Sequence, residues 1–368
     1  MNHRLLYVSP VGCLGGGEQV LHTVARAARD AGYRPSFLCL QPGDFVSQLR
    51  DDGFPVTAFR DHRYRDLNAV AEGAALAQRL ASEASLVHTN HSGWLYCRHL
   101  SQPVIAHYHD YPHSFNLMDL AHRIWKPKNV IFTSEYVRAG FPHLRKSHHA
   151  VILPVTRVSP NAQASNEAGA SSILKREGLI EGLYFLTVAR MQPHKGLQDL
   201  LKAIQRLGRS VGDFKFVITG KGGDPTQRKF EERLHAYASH HDLSRTIRFV
   251  GFLPDRELQE LRMGAYALIH PARTEGFGLV LLDAMRNGLP VVAAAATGPA
   301  MIVEHGRSGL LTPVRNPAML AATIGDLIHS RALRDRLSAG ALTRSSCFSA
   351  ARMTQETLAF YTSVLSRS

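Results

Sequence analysis

Apolar residues in this chain come in short runs, separated by longer stretches that carry apolar positions on one face only. Leu5–Ser9, Pro35–Leu40, Val56–Phe59, Leu86–Thr89, Pro103–Ala106 and Asn129–Thr133 are such runs, rich in aliphatic and β-branched residues. A short continuous apolar run bounded by turn formers reads as a strand buried on both faces. From about Glu18 to Asp30 the apolar positions recur at helical spacing instead, and Ala31-Gly32 closes the segment. Strands that alternate with helical segments predict parallel β-α-β units on a doubly wound sheet.

The pattern stops between Ser159 and Ser172, where small and polar residues follow one another without period. That stretch predicts a linker. The alternation then restarts, with strands at Tyr184–Ala189, Lys215–Thr219, Ile247–Val250, Ala267–His270 and Pro290–Ala293. Helices fit between them at Leu197–Leu207, Gln227–His240, Asp255–Met263 and Gly278–Asn287, and a last amphipathic helix spans about Ser349 to Leu365. The expectation is an α/β chain of two Rossmann-like domains, residues 1–156 and 173–348, joined by a linker over 157–172. Residues 349–368 are expected to return to the first domain. Open parallel sheets bind ligands at their strand C-terminal edges, and two such edges facing a central cleft suit a reaction with two substrates.

Composition narrows the class. With 368 residues, 45% apolar and 20% charged, the chain has material for two ordinary cores and is not of disordered type. No apolar run approaches the roughly 18 residues of a membrane helix. Leu5–Val8 is too short for a signal-peptide core and runs into a glycine loop, so a soluble, cytoplasmic protein is expected. Cys13, Cys39, Cys97 and Cys347 lie far apart, which predicts scattered thiols and no thiolate metal site. The net charge of +13 suits anionic partners: nucleic acid, an acidic bilayer or a phosphorylated substrate. No nucleic-acid recognition motif accompanies it, so no nucleic-acid partner is expected. Between His122 and His149, Arg123, Lys126, Lys128, Arg138, Arg145 and Lys146 stand against Glu135 alone, with Leu117, Leu120, Ile124 and Trp125 at roughly helical spacing. Two readings stand there: a surface for an anionic membrane or acceptor, peripheral at the inner face of the membrane, or a basic helix packed on its own core.

Three polar constellations follow strands of the second half. Arg190 and Lys195 share one loop before a helix; taken alone they make either an anion site of two fixed cations beside a helix start or a solvated loop with ordinary surface charges. Gly220 and Gly222 follow another strand without the Gly-Lys-Ser/Thr of a Walker loop; they form either a plain turn or a close approach to a ligand. The richest is Glu275-Gly276-Phe277-Gly278-Leu279, a carboxylate and a Gly-x-Gly turn opening an apolar helix that carries Asp283. Helix capping explains one acid there, but not both acids and both glycines together. In the first half, Gly12 and Gly15-Gly16-Gly17-Glu18 join a strand to a helix without forming a Gly-x-Gly-x-x-Gly dinucleotide fingerprint. His88, His91, His107 and His109 follow two successive strands with no acid or cysteine array to complete a zinc set. His109-Asp110 stands apart because it lies at a strand's C-terminal edge.

In this order, Val188-Ala189-Arg190, Lys195-Gly196, Gly220-x-Gly222, Gly251-Phe252-Leu253, His270-Pro271, Glu275-Gly276-Phe277-Gly278, Gly288-Leu289-Pro290-Val291-Val292 and Gly309-Leu310-Leu311 resemble family 4 of the retaining glycosyltransferases, of GT-B fold. Gly15–Glu18 and His109-Asp110 also resemble that family's first domain. The resemblance implies retaining, metal-independent transfer of a hexosyl group from a nucleoside-diphosphate sugar to a glycan, lipid-linked or small-molecule hydroxyl, with UDP-sugars favoured over GDP-sugars and no further cofactor. It implies catalytic roles for His109, Arg190, Lys195 and Glu275. Arg190 and Lys195 would neutralise the departing diphosphate; Glu275 and the amides of Gly276 to Leu279 would hold the sugar and β-phosphate; Asp283 would hold the ribose. His109 would flank the sugar, and Gly16, Gly220 and Gly222 would border the donor. The chain departs from the family's pattern at Asp283, where glutamate is usual, at Ala296–Ala300, where two glycines commonly precede an acid, and at Leu153–Thr156, which lacks a Pro-Asn-Gly-Val hinge. The competing functions are an epimerase or phosphorylase on the same fold and a basic nucleic-acid-binding protein.

Overall fold

The computed structural model describes residues 3–60, 66–90, 93–110, 126–155, 173–223 and 225–367. The linker expected at 157–172, His91, and the stretch from Leu117 to Trp125 lie outside them. The chain divides into two compact units, one of Met1–Arg157 with Phe348–Ser368 and one of Val158–Cys347.

In the N-terminal unit, β1 (Arg4–Ser9), β2 (Arg34–Cys39), β3 (Val56–Ala58), β4 (Leu86–Asn90), β5 (Val104–Tyr108), β6 (Asn129–Phe132) and β7 (His148–Val151) form one sheet in the order β3-β2-β1-β4-β5-β6-β7. All its pairings are parallel. The central strands are buried along their length, as their unbroken apolar runs require. β7 escapes the sequence pattern because it is an edge strand, His-His-Ala-Val, and only half-buried.

The helix Ala350–Leu365 also belongs to this unit and packs against the helix Gly16–Asp30. It buries Met353, Phe360, Tyr361 and Val364. Fully burying a large apolar side chain stabilises by about 1.5–3 kcal/mol, so this face is a substantial anchor. The backbone N–H of Val155 donates to Met353 Sδ at 3.1 Å, and His148 stacks on Phe360 with centroids 4.8 Å apart.

In the C-terminal unit, β8 (Tyr184–Val188), β9 (Lys215–Thr219), β10 (Ile247–Gly251), β11 (Ala267–His270), β12 (Val291–Ala294) and β13 (Leu310–Thr312) form a second parallel sheet in the order β10-β9-β8-β11-β12-β13. Its core joins Phe185, Phe216 and Ile218 to Leu200, Leu201 and Ile204 of the helix Leu197–Leu207 and to Ile324 and Leu327 of the helix Pro317–His329. In each sheet the first strand has neighbours built in opposite directions along the chain: β1 between β2 and β4, β8 between β9 and β11. Crossover helices therefore leave to opposite faces there, and a crevice opens beyond the strand C-termini at β1/β4 and at β8/β11.

Candidate functional site

The polar constellations of the C-terminal unit gather at the β8/β11 switch point. Arg190 and Lys195 lie on the loop after β8, and Glu275 on the loop after β11. Lys195 Nζ donates to Glu275 Oε2 at 2.9 Å, with both side chains mostly buried. His270, the last residue of β11, reaches the same oxygen through Nε2 at 3.1 Å. Burial opposes ionisation of Glu275, but the Lys195 charge and the His270 hydrogen bond outweigh it, holding the carboxyl well below the usual carboxylate range. Lys195 and Glu275 thus form a preset charge pair. Arg190 stands on the same loop with its side chain exposed.

Two devices hold these loops in register. Gly196 packs so closely on the second loop that a Cβ there would lie 1.9 Å from the Pro271 carbonyl oxygen. Arg273 forks onto Asp199, Nε to Oδ2 at 2.7 Å and Nη2 to Oδ1 at 2.8 Å, while its backbone N–H donates to His194 O at 2.8 Å. Neither His270 nor this fork was assigned a role from sequence. His270 could have been found as the polar residue closing an apolar strand five positions before Glu275; the fork joins residues 74 positions apart and has no local signal.

Gly276, Phe277 and Gly278 complete the turn into the helix Leu279–Arg286, whose start no side chain caps. Gly278 adopts φ 104°, a conformation that favours glycine. Leu279 is the first helical residue, so the backbone at this end faces the anion-favouring pole of the helix. Asp283 lies farther along, with Oδ1 3.6 Å from Arg286 Nη1 and Oδ2 3.9 Å from Arg262 Nη2. That carboxylate is thus shared between two guanidinium groups. Gly220 and Gly222 are already engaged: Gly220 N–H donates to Gly251 O at 2.8 Å and Gly222 N–H to Glu231 Oε2 at 2.9 Å. Both hold the loop after β9, and neither leaves its amide open to a donor.

The N-terminal unit gathers its own cluster at the C-terminal ends of β1, β4 and β5. Gly16 opens the helix after β1, and Glu18 in its first turn is buried. Asn90 ends β4, and His109 directly follows β5. His109 Nε2 lies 3.0 Å from Asn90 Oδ1, and its ring stacks on His107 at 4.2 Å. His88 and His107 are buried behind it, joined Nε2 to Nδ1 at 3.1 Å. Tyr361 caps this pair through a short contact of its hydroxyl with His88 Nδ1. Among the described residues no group of His, Cys, Asp and Glu is arranged to hold a metal ion.

Comparison with known proteins places both clusters in matched regions. A family model described as Glycosyl transferases group 1 covers residues 173–344, and one described as Glycosyltransferase Family 4 covers residues 14–154. The chain belongs to the GT-B glycosyltransferases. Among curated relatives of this family member, the D-inositol 3-phosphate glycosyltransferase of Frankia alni is 36% identical over 171 residues, which is 46% of this chain and 42% of the relative. The amylovoran biosynthesis glycosyltransferase AmsK of Erwinia amylovora is 29% identical over 227 residues, 59% of this chain and 49% of the relative. The chain thus spans less than half the length of these curated relatives. Among solved structures, Anabaena HepE in complex with UDP and glucose superposes with a TM-score of 0.85 at 22% identity, covering 98% of this chain and 100% of that one. That likeness establishes the GT-B fold.

Proposed function

We propose that the protein transfers a hexosyl group from a UDP-sugar to a hydroxyl acceptor, with retention at the anomeric carbon and without a metal ion. The observation that carries this reading is the Lys195–Glu275 pair, anchored by His270 at the β8/β11 switch point beside an uncapped helix start. A diphosphate leaving group develops negative charge as its bond to the anomeric carbon breaks. Lys195 is already held where it can meet that charge, and Arg190 stands on the same loop to share it. Preorganised charge of this kind is usually the largest catalytic contribution. Glu275, kept ionised, is acceptor-only and suits sugar hydroxyls. The acceptor oxygen bonds to the anomeric carbon as the diphosphate departs, and the acceptor proton passes to the departing phosphate oxygen. HepE was solved with UDP and with UDP-glucose, which supports uridine as the base.

The test is a thermal-shift series with UDP, GDP, ADP and their sugars, followed by product analysis with the stabilising donor. UDP is expected to raise the melting temperature in the wild type and to do so much less in Arg190→Ala and Lys195→Ala. Charge-assisted bonds contribute about 1.5–3 kcal/mol each, so either loss weakens UDP at least tenfold. No shift with any nucleotide would sink the reading. Release of free nucleoside diphosphate only when an acceptor is present separates transfer from epimerisation.

The acceptor belongs to the N-terminal unit in this reading, with His109 beside the transferred sugar. Contact with an anionic membrane is supported by Lys126, Lys128, Arg145 and Lys146, all exposed. The backbone brings the two pairs together at the starts of β6 and β7, where His148 N–H donates to Lys128 O at 2.8 Å.

A further inference from the structure

Glu18 has no part in the transfer just proposed, yet it is a carboxylate only 8% exposed in the first turn of the first helix. Its Oε1 accepts from Asn90 Nδ2 at 3.4 Å and lies 3.2 Å from Ser9 Oγ. The other end of the Asn90 amide, Oδ1, is the atom 3.0 Å from His109 Nε2. An ionised carboxylate only accepts, an amide has one donating and one accepting end, and a neutral imidazole has one of each. For a neutral imidazole these facts leave one arrangement. Facing Glu18, Asn90 must present its NH2; it then offers only its carbonyl oxygen to His109, and His109 must carry a proton on Nε2 to use it. Nδ1 is left as the basic nitrogen of the neutral ring.

We infer that Glu18 is a positioning residue that, through Asn90, fixes His109 as the Nε2–H tautomer. The inference rests on the proposed transfer only for its consequence in turnover; the tautomer itself follows from the hydrogen bonds. Gly17 belongs to the same device. A Cβ on it would lie 3.1 Å from His109 Cδ2 and 3.4 Å from Asn90 Nδ2, so a side chain there would press on both the histidine and the amide and displace them by a few tenths of an ångström. The His107 ring, stacked on His109 with centroids 4.2 Å apart, restricts tilting of the His109 ring. The Gly15-Gly16-Gly17-Glu18 sequence therefore works as a unit: its third glycine makes the room and its acid sets the polarity.

The test is a long-range nitrogen–proton NMR spectrum of the full chain carrying isotopically labelled histidine, with the His109 signals identified by their loss in His109→Gln. The wild type is expected to show protonated Nε2 and unprotonated Nδ1. In Glu18→Leu the amide is free to turn and the Nδ1–H form should appear; Glu18→Gln, which keeps an accepting oxygen, should retain the wild-type tautomer. Gly17→Ala, a change a helix tolerates, should shift the His109 signals without unfolding the chain. With a working donor and acceptor, kcat is expected to fall by up to about a hundredfold in Glu18→Leu and Gly17→Ala, to recover in Glu18→Gln, and to leave UDP affinity unchanged in all three. An Nδ1–H form in the wild type, or an unchanged tautomer in folded Glu18→Leu, overturns the inference. If the tautomer responds as stated while no UDP-sugar is transferred even by the wild type, the relay stands and the proposed function falls.

Discussion

At the scale of single residues, the histidines behind His109 make the sharpest statement. Burial pushes the His88 imidazole down to about 3, and burial with the nearby His109 and His88 rings holds His107 well below the ordinary range. Both are neutral in the folded chain, whereas in the unfolded chain they take up a proton near pH 6.5. The unfolded state therefore binds more protons below that pH, so the stability these groups confer is complete above about 6.5 and is lost as pH falls toward the folded value. Each group costs up to roughly 1.4 kcal/mol per pH unit across that window. Urea midpoints measured from pH 7.5 to 4.5 should drop steeply below 6.5 in the wild type and less steeply in His88→Asn. A flat wild-type profile would remove this account. Of the residues singled out from sequence, Lys195 and Glu275 are brought into contact because they lie on the loops that follow two neighbouring central strands. Asn90 and His270 are harder to see, since a polar residue at a strand end has no periodicity to mark it, and Glu18 shows only as the acid after a glycine turn, its partner Asn90 lying 72 positions away.

At the scale of elements, the two loops flanking β8 and β11 act as one part because the Arg273–Asp199 fork ties them. About a quarter of the Arg273 side chain reaches water while Asp199 is almost covered, so breaking the pair should cost roughly 2–3 kcal/mol, below the figure for a fully buried pair. The larger effect is on register. Arg273→Ala and Asp199→Asn are each expected to weaken UDP and to lower kcat/KM for transfer, although neither side chain is assigned a contact with the donor. Nucleotide titrations showing wild-type affinity in both variants would contradict that. Legibility followed the apolar or β-branched run itself, so that the half-buried edge strands β3 and β10 are read as well. β8, β9 and β11 sit inside the sheet and read as unbroken apolar runs, whereas β7 and β13 are edge strands of four and three residues and were not marked as strands. Gly220 and Gly222 read from the sequence as either a plain turn or a close approach to a ligand, because a glycine required by close backbone packing looks the same in sequence as one required by a phosphate.

At the scale of the whole molecule, four of the 43 lysines and arginines behind the +13 charge form one exposed cluster. Lys126, Lys128, Arg145 and Lys146 stand at the starts of β6 and β7, the opposite end of that sheet from His109, which follows the end of β5. Vesicles containing phosphatidylserine should retain the protein at low salt and release it at high salt, each basic residue near the surface contributing about 1 kcal/mol. Reversal of all four charges should abolish retention and spare UDP binding; retention unaffected by the reversal would assign the contact elsewhere. The return of the helix Ala350–Leu365 to the N-terminal unit has a consequence in time. On a ribosome, β1 to β7 emerge well before residue 361, so Tyr7 and His88, both of which meet the Tyr361 hydroxyl in the folded unit, wait beside an unfilled space while the C-terminal unit is being made. The first unit to be synthesised is thus the last to be finished, and a nascent chain stalled anywhere before Tyr361 would display an unsealed patch that chaperones and proteases can recognise.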